Sequence, residues 1–107
     1  MPLHLLFLFL DGVGLGTHDP AVNPFARASM PNLMALLGGR RLLLGESIQT
    51  ERATLLALDA VMGVNGLPQS ATGQATLLTG QNVPATIGYH YGPKPNPPVA
   101  EFLKNGN

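Results

Sequence analysis

The longest apolar stretch comes first, broken only by His4. Residues 3–10 read Leu-His-Leu-Leu-Phe-Leu-Phe-Leu, and the run stops at Asp11-Gly12-Val13-Gly14. A run of this length bounded by glycine predicts a strand buried on both faces of a parallel sheet. Residues 17–28 hold Pro20, Pro24 and Asn23 and read as a loop. Next comes a helical stripe of Leu33, Met34, Leu36 and Leu37, with Ser29 as the expected N-cap, Pro31 in the first turn and Gly38-Gly39 as the stop. Residues 41–44 suggest a short strand, and the Ala-Thr-Leu-Leu-Ala-Leu-Asp segment at 53–59 a firmer one. A Gly- and Pro-containing loop is expected at 61–69, a helix at 72–79 stopped by Gly80, and an irregular segment at 83–98. A last short helix is expected at 99–105, with Gly106 as its stop.

This order, β-loop-α-β-β-α-α, predicts an α/β fold with helices on the faces of a sheet. Length allows one domain at most: 107 residues bury a single modest core. Charged residues make up only 11%, against about 25% in an ordinary soluble domain. A small domain has proportionally more surface, so the shortage of charge implies surface covered by further chain or by another subunit. Glycine helix stops in α/β proteins usually lead into a strand, whereas here the sequence closes one residue past Gly106. The expectation is therefore a partial domain over 1–107.

Charge and composition exclude several functions. Zero net charge and a pI near 6.8 argue against a basic nucleic-acid-binding face. The chain has no Cys, which removes disulfides, Cys-rich zinc sites and thiol catalysis. The apolar start is too short to span a membrane. It also lacks the basic leader of a signal peptide, so the expectation is a cytoplasmic protein with no membrane partner. Gly12-x-Gly14-x-Gly16 invites a dinucleotide-binding reading, but Thr17 stands at the third glycine position. Pro20 and Pro24 would break the helix that such a loop must open.

Two residues carry the candidate chemistry. Asp11 ends the first expected strand, and ligands of open α/β sheets bind beyond the carboxyl ends of strands. Its carboxylate suits a hard divalent cation, although an Asp here also serves as an ordinary turn residue. Ser70 precedes the expected 72–79 helix, where unpaired amides and the dipole favour a phosphate. A metal there would turn its hydroxyl into a nucleophile. The plainer alternative is that Ser70 or Thr72 caps the helix.

The segment Ser70-Ala71-Thr72-Gly73-Gln74-Ala75-Thr76-Leu77-Leu78-Thr79-Gly80 resembles the nucleophile helix of the alkaline phosphatase superfamily. In that family a Ser or Thr nucleophile opens a helix ending in Thr-Gly or a close variant. Pro84-Ala85-Thr86-Ile87-Gly88 is similar to the P-x-x-x-G that follows in phosphodiesterases and sulfatases. The opening LFLFLDGVG resembles the first strand of cofactor-independent phosphoglycerate mutases, whose Asp binds metal. Ser70 and Gly73 also match those mutases' Ser-Glu-Val-Gly-His. Gln69, Gln74 and Ile87 depart from the family patterns and leave the substrate open between phosphomutase and ester hydrolase.

The resemblance implies the N-terminal part of an alkaline-phosphatase-like sheet with helices on both faces. It implies Ser70 as nucleophile and metal ligand, and Asp11 as metal ligand. It further implies two divalent ions (Zn or Mn) in the complete enzyme, a phosphorylated or sulfated small molecule as substrate, and further ligands beyond this stretch of sequence. Metal binding by this chain alone would be weak, and a fragment of sheet would leave edges open to self-association. A shared metal site would place the Asp11 and Ser70 oxygens within roughly 3–6 Å, from the usual metal–oxygen and metal–metal spacings.

The second class of reading is a truncated, non-catalytic module that binds an anion or a partner. His4 reads as a core or edge residue of the first expected strand, and His18 and His90 as loop residues rather than ligands. Asp59 reads as a turn carboxylate before Gly63, and Arg27, Arg40, Arg41 and Arg52 are too scattered to select an anion.

Overall fold

The computed structural model describes residues 2–45 and 47–105. The Gly106 helix stop lies outside the described residues. The chain divides into two compact units, Met1–Leu58 and Asp59–Asn107.

The first unit holds two short helices and a hairpin. Helix α1 (Pro24–Arg27) starts in the segment expected to be a loop. Asn23 caps it: its side-chain oxygen accepts from the Phe25 amide at 3.1 Å, and its Nδ2 donates to the Thr17 carbonyl at 2.7 Å. Helix α2 (Pro31–Leu36) begins at Pro31 itself, which moves the N-cap from Ser29 to Met30. Proline fits the first helical position because an amide there would have no intrahelical acceptor. The helix ends as the sequence predicts. Gly38 and Gly39 adopt φ of 67° and 87°, and the Gly39 amide returns to the Met34 carbonyl at 2.8 Å, so the glycines satisfy the last turn.

Strands β1 (Ile48–Gln49) and β2 (Thr54–Leu55) pair antiparallel, Ile48 with Leu55 and Gln49 with Thr54. Thr50 closes the turn, its amide donating to the Ala53 carbonyl at 2.8 Å. Among the described residues, the buried side chains of this unit are Leu37 and Ile48.

The expected sheet is therefore corrected. Among the described residues the only sheet is this two-stranded antiparallel hairpin, and no alkaline-phosphatase-like sheet with helices on both faces is present. Residues 3–10 form no strand, and most of their side chains stand in solvent, with Leu3 92% and Leu5 89% exposed. An apolar run specifies a strand only when neighbouring strands take up its amides and carbonyls. The 53–59 candidate shrinks to Thr54–Leu55 for the same reason: only these residues face β1. Residues 41–44 form no strand either.

The second unit is helical. Helix α3 (Ser70–Thr79) begins two residues before its expected start and stops at Gly80, whose φ of 72° is left-handed. Helix α4 (Val83–Ile87) and helix α5 (Pro97–Asn105) follow. The helix α4 segment falls within the stretch expected to be irregular. Asn82 caps α4 by accepting from the Ala85 amide at 3.2 Å, and Asn96 accepts from the Val99 amide at 3.2 Å at the start of α5. The core joins Ala71 and Ala75 of α3 to Val83 of α4 and Val99 of α5, flanked by Ile87, Phe102 and Leu103. Among the described residues, no helix is long and apolar enough to cross a membrane.

Candidate functional site

Ser70 is the first residue of α3 and is half-buried. The N-cap position belongs to Gln69, with φ −127° and ψ 155°, whose side chain makes no capping hydrogen bond. Ser70 is therefore inside the helix, not at the position where a serine is chosen for capping.

What holds the helix start is a segment from much later in the chain. The Thr72 amide, which a local cap would ordinarily take up, donates to the Tyr91 carbonyl at 3.0 Å. The Tyr91 amide donates back to Thr72 Oγ1 at 3.1 Å. Thr72 is fully buried, which makes this polar pairing necessary: an unpaired hydroxyl there would carry a desolvation penalty. Thr72 is thus no N-cap but a side chain clasped by tertiary structure. The clasp also changes what the helix start offers an anion, because the Thr72 amide is already engaged within the fold.

Gly92 continues the same segment across the helix start. A Cβ built on it would stand 3.0 Å from the Ser70 nitrogen and 3.2 Å from Gln69 Cβ. Glycine is favoured here by close backbone approach rather than by a positive φ.

Asp11 lies in the first unit, exposed, in the turn that follows residues 3–10. Gly12 beside it has a φ of 72°, which a glycine adopts without strain.

The remaining candidates have structural work. His18 Nε2 is 2.9 Å from the Leu44 carbonyl, and His90 Nε2 is 3.0 Å from the Val64 carbonyl. Each imidazole ties a loop to a distant backbone carbonyl, which engages one ring nitrogen. Asp59 Oδ1 accepts from the Val61 amide at 3.0 Å, the turn role expected for it. Arg41 donates to the Ala28 carbonyl and bridges α1 to the segment before the hairpin. His4 is exposed and does not occupy a core.

The chemistry of Asp11 and Ser70 suits a hard divalent ion, since both offer oxygen. Their number does not complete a site. Among the described residues no group of three or more His, Asp or Glu side chains is gathered where it could hold a metal ion. These residues alone do not fit a two-metal centre.

Sequence reasoning missed the Tyr91–Gly92 segment. Its signal was the dipeptide Gly92-Pro93 inside a stretch read only as irregular. Compared with known proteins, the chain matches no family model, no curated protein and no solved structure at a significant level.

Proposed function

We infer that this chain is a portion of a metal-dependent phosphoryl-transfer enzyme, a phosphomutase or a phosphate- or sulfate-ester hydrolase, in which Ser70 is the nucleophile. The observation that carries the reading is the setting of Ser70. It opens a ten-residue helix without occupying the capping position, it is half-buried, and the next turn is fixed by tertiary hydrogen bonds. The Ser70–Gly80 motif supports the same reading through its resemblance to the alkaline phosphatase superfamily.

In the proposed step Ser70 Oγ forms a bond to the phosphorus or sulfur of the ester. The ester oxygen leaves with its electron pair, and the hydroxyl proton passes to water. The Ala71 amide, near the first turn's positive end, has no intrahelical acceptor and would favour the developing charge. Bound divalent ions would supply charge neutralisation. Ser70 would provide one ligand to such an ion, and Asp11 carries the other candidate ligand oxygen of the chain. The substrate class is a phosphorylated or sulfated small molecule.

The test is covalent labelling. The chain is incubated with 4-nitrophenyl phosphate and manganese or zinc, and its intact mass is measured. A gain of one phosphoryl group, absent in Ser70→Ala, supports the reading. Labelling that persists in Ser70→Ala overturns it. The resemblance implies an incomplete site that turns over poorly by itself, so the metal is raised to millimolar concentration to load it. No labelling even then favours the alternative, a non-catalytic anion- or partner-binding module.

A further inference from the structure

We propose that Thr72 and Gly92 are positioning residues for Ser70, and that the backbone of Tyr91–Gly92 acts as a strap fixing the nucleophile's place at the start of α3. The proposal rests on the reading of Ser70 as a nucleophile.

Three hydrogen-bond geometries connect the strap to Thr72. The Thr72 amide donates to the Tyr91 carbonyl at 3.0 Å, and the Tyr91 amide donates to Thr72 Oγ1 at 3.1 Å. Thr72 Oγ1 also stands 3.3 Å from the Tyr91 carbonyl and 3.4 Å from the Gln69 carbonyl. A hydroxyl has one proton, so only one of these two carbonyls receives it at a time. The two amide bonds are the invariant part of the clasp.

This arrangement differs from ordinary capping in what it fixes. A side-chain cap at Gln69 would secure the helix end only relative to its own preceding residue, and Gln69 makes no such bond. The strap instead secures the helix end to a segment 19 residues further on. That segment lies between α4 and α5, both of which pack on α3. The first turn is therefore located relative to the body of its unit, which is what a nucleophile requires: small displacements cost large factors in rate.

Gly92 supplies the second constraint. With its would-be Cβ only 3.0 Å from the Ser70 nitrogen, a side chain there needs the strap or Ser70 to give by a few tenths of an ångström. The two nearest atoms met are the backbone nitrogen of Ser70 and the Cβ of Gln69, which cannot swing aside as the more distant Gln69 Oε1 at 3.4 Å can. Thr72 holds the strap in and Gly92 lets it lie flat.

The experiment compares the wild-type chain with Thr72→Val, Thr72→Ser, Gly92→Ala and, as a control for stability alone, Val83→Ala. Amide exchange and the Ser70 resonances are read by NMR, and Ser70 labelling by 4-nitrophenyl phosphate with manganese is read by mass. Thr72→Val and Gly92→Ala are expected to shift the Ser70 amide and Cβ resonances. They should also speed exchange at the Thr72 and Tyr91 amides, the two donors of the clasp, by about tenfold, the equivalent of one lost hydrogen bond. Amides near Thr79 should keep their wild-type rates. Thr72→Ser restores the wild-type pattern, and Val83→Ala leaves the Ser70 resonances in place despite lowering stability. Where wild type labels, labelling falls in Thr72→Val and returns in Thr72→Ser. Unchanged Ser70 resonances in folded Thr72→Val overturn the strap. Absent labelling in wild type removes the nucleophile reading, and the resonances alone then decide the strap.

Discussion

Thr50 and Leu36 are joined by a 2.7 Å hydrogen bond from the threonine hydroxyl to the carbonyl in the last turn of α2. The same oxygen accepts from the Ala53 amide at 3.1 Å. One side chain thus closes the β1–β2 turn and satisfies a helix-end carbonyl that has no partner within the helix. Thr50→Val keeps the shape and removes both bonds. It is expected to lower the stability of the first unit by about 1–2 kcal/mol, while Thr50→Ser loses much less. Urea titration of the two variants checks the difference, and equal midpoints would overturn it.

The second unit depends on a few small contacts. Val99 and Val83 are fully buried, whereas Leu78 is 59% exposed. Val99→Ala should cost about 2 kcal/mol through lost burial and a residual cavity. Leu78→Ala should stay within about 0.5 kcal/mol of wild type, as substitutions at exposed sites do. Thermal or urea unfolding of the pair decides, and a larger loss for the leucine would show that its surface is covered in solution.

Metal affinity of the chain is expected to be weak, because one carboxylate and one hydroxyl replace little of a divalent ion's hydration shell. Calorimetry with zinc and manganese should find no submicromolar site. A tight site lost in His18→Ala or His90→Ala would mean that these imidazoles leave their carbonyl partners to bind metal.

The exposed run at 3–10 carries a different consequence. Leu5 is 89% and Leu8 74% exposed, and the chain has no net charge to hold copies apart. Self-association through this segment is expected to rise with concentration. A Leu5→Lys, Leu8→Lys double variant should reduce it by adding charge to an apolar, β-prone stretch. Sedimentation at several concentrations tests both statements, and a monomer at the highest concentration would refute them.

The sequence exposed some elements and hid others for physical reasons. Helix α3 was legible because its signals are local: small and aliphatic residues ending at a glycine that takes φ 72°. The strands were not, because strand formation depends on partners that a single stretch does not contain. Residues 3–10 have the composition of a buried strand but no ladder. Helices α1 and α4 are hidden because proline, a breaker inside a helix, is compatible with its first turn. Asn23-Pro24, Asn82-Val83-Pro84 and Asn96-Pro97 share one device, an asparagine whose side chain accepts an amide and a proline in the first turn. Ser70 and Asp11 were singled out from sequence by residue type and motif. The strap that holds Thr72 joins residues 19 apart in sequence, and the Gly92-Pro93 dipeptide marks a turn there without saying which helix it closes on.

The side chains that α3 turns inward are Ala71, Thr72 and Ala75, with Ala75 wholly enclosed. None of them has much volume to lose, and with Thr72 and Ala75 cut off from solvent an added group there has no open water to enter. The interior face of this helix should therefore tolerate mutation lopsidedly. Ala75→Gly removes one methyl and some helix propensity, costing about 1 kcal/mol. Ala75→Leu adds three carbons to a filled interior and costs about 1–3 kcal/mol or more. Evolution or design could reshape this unit's outer faces at will, yet any substitution that widens α3 on its inner side would push α4 and α5 outward and carry the Tyr91–Gly92 strap with them.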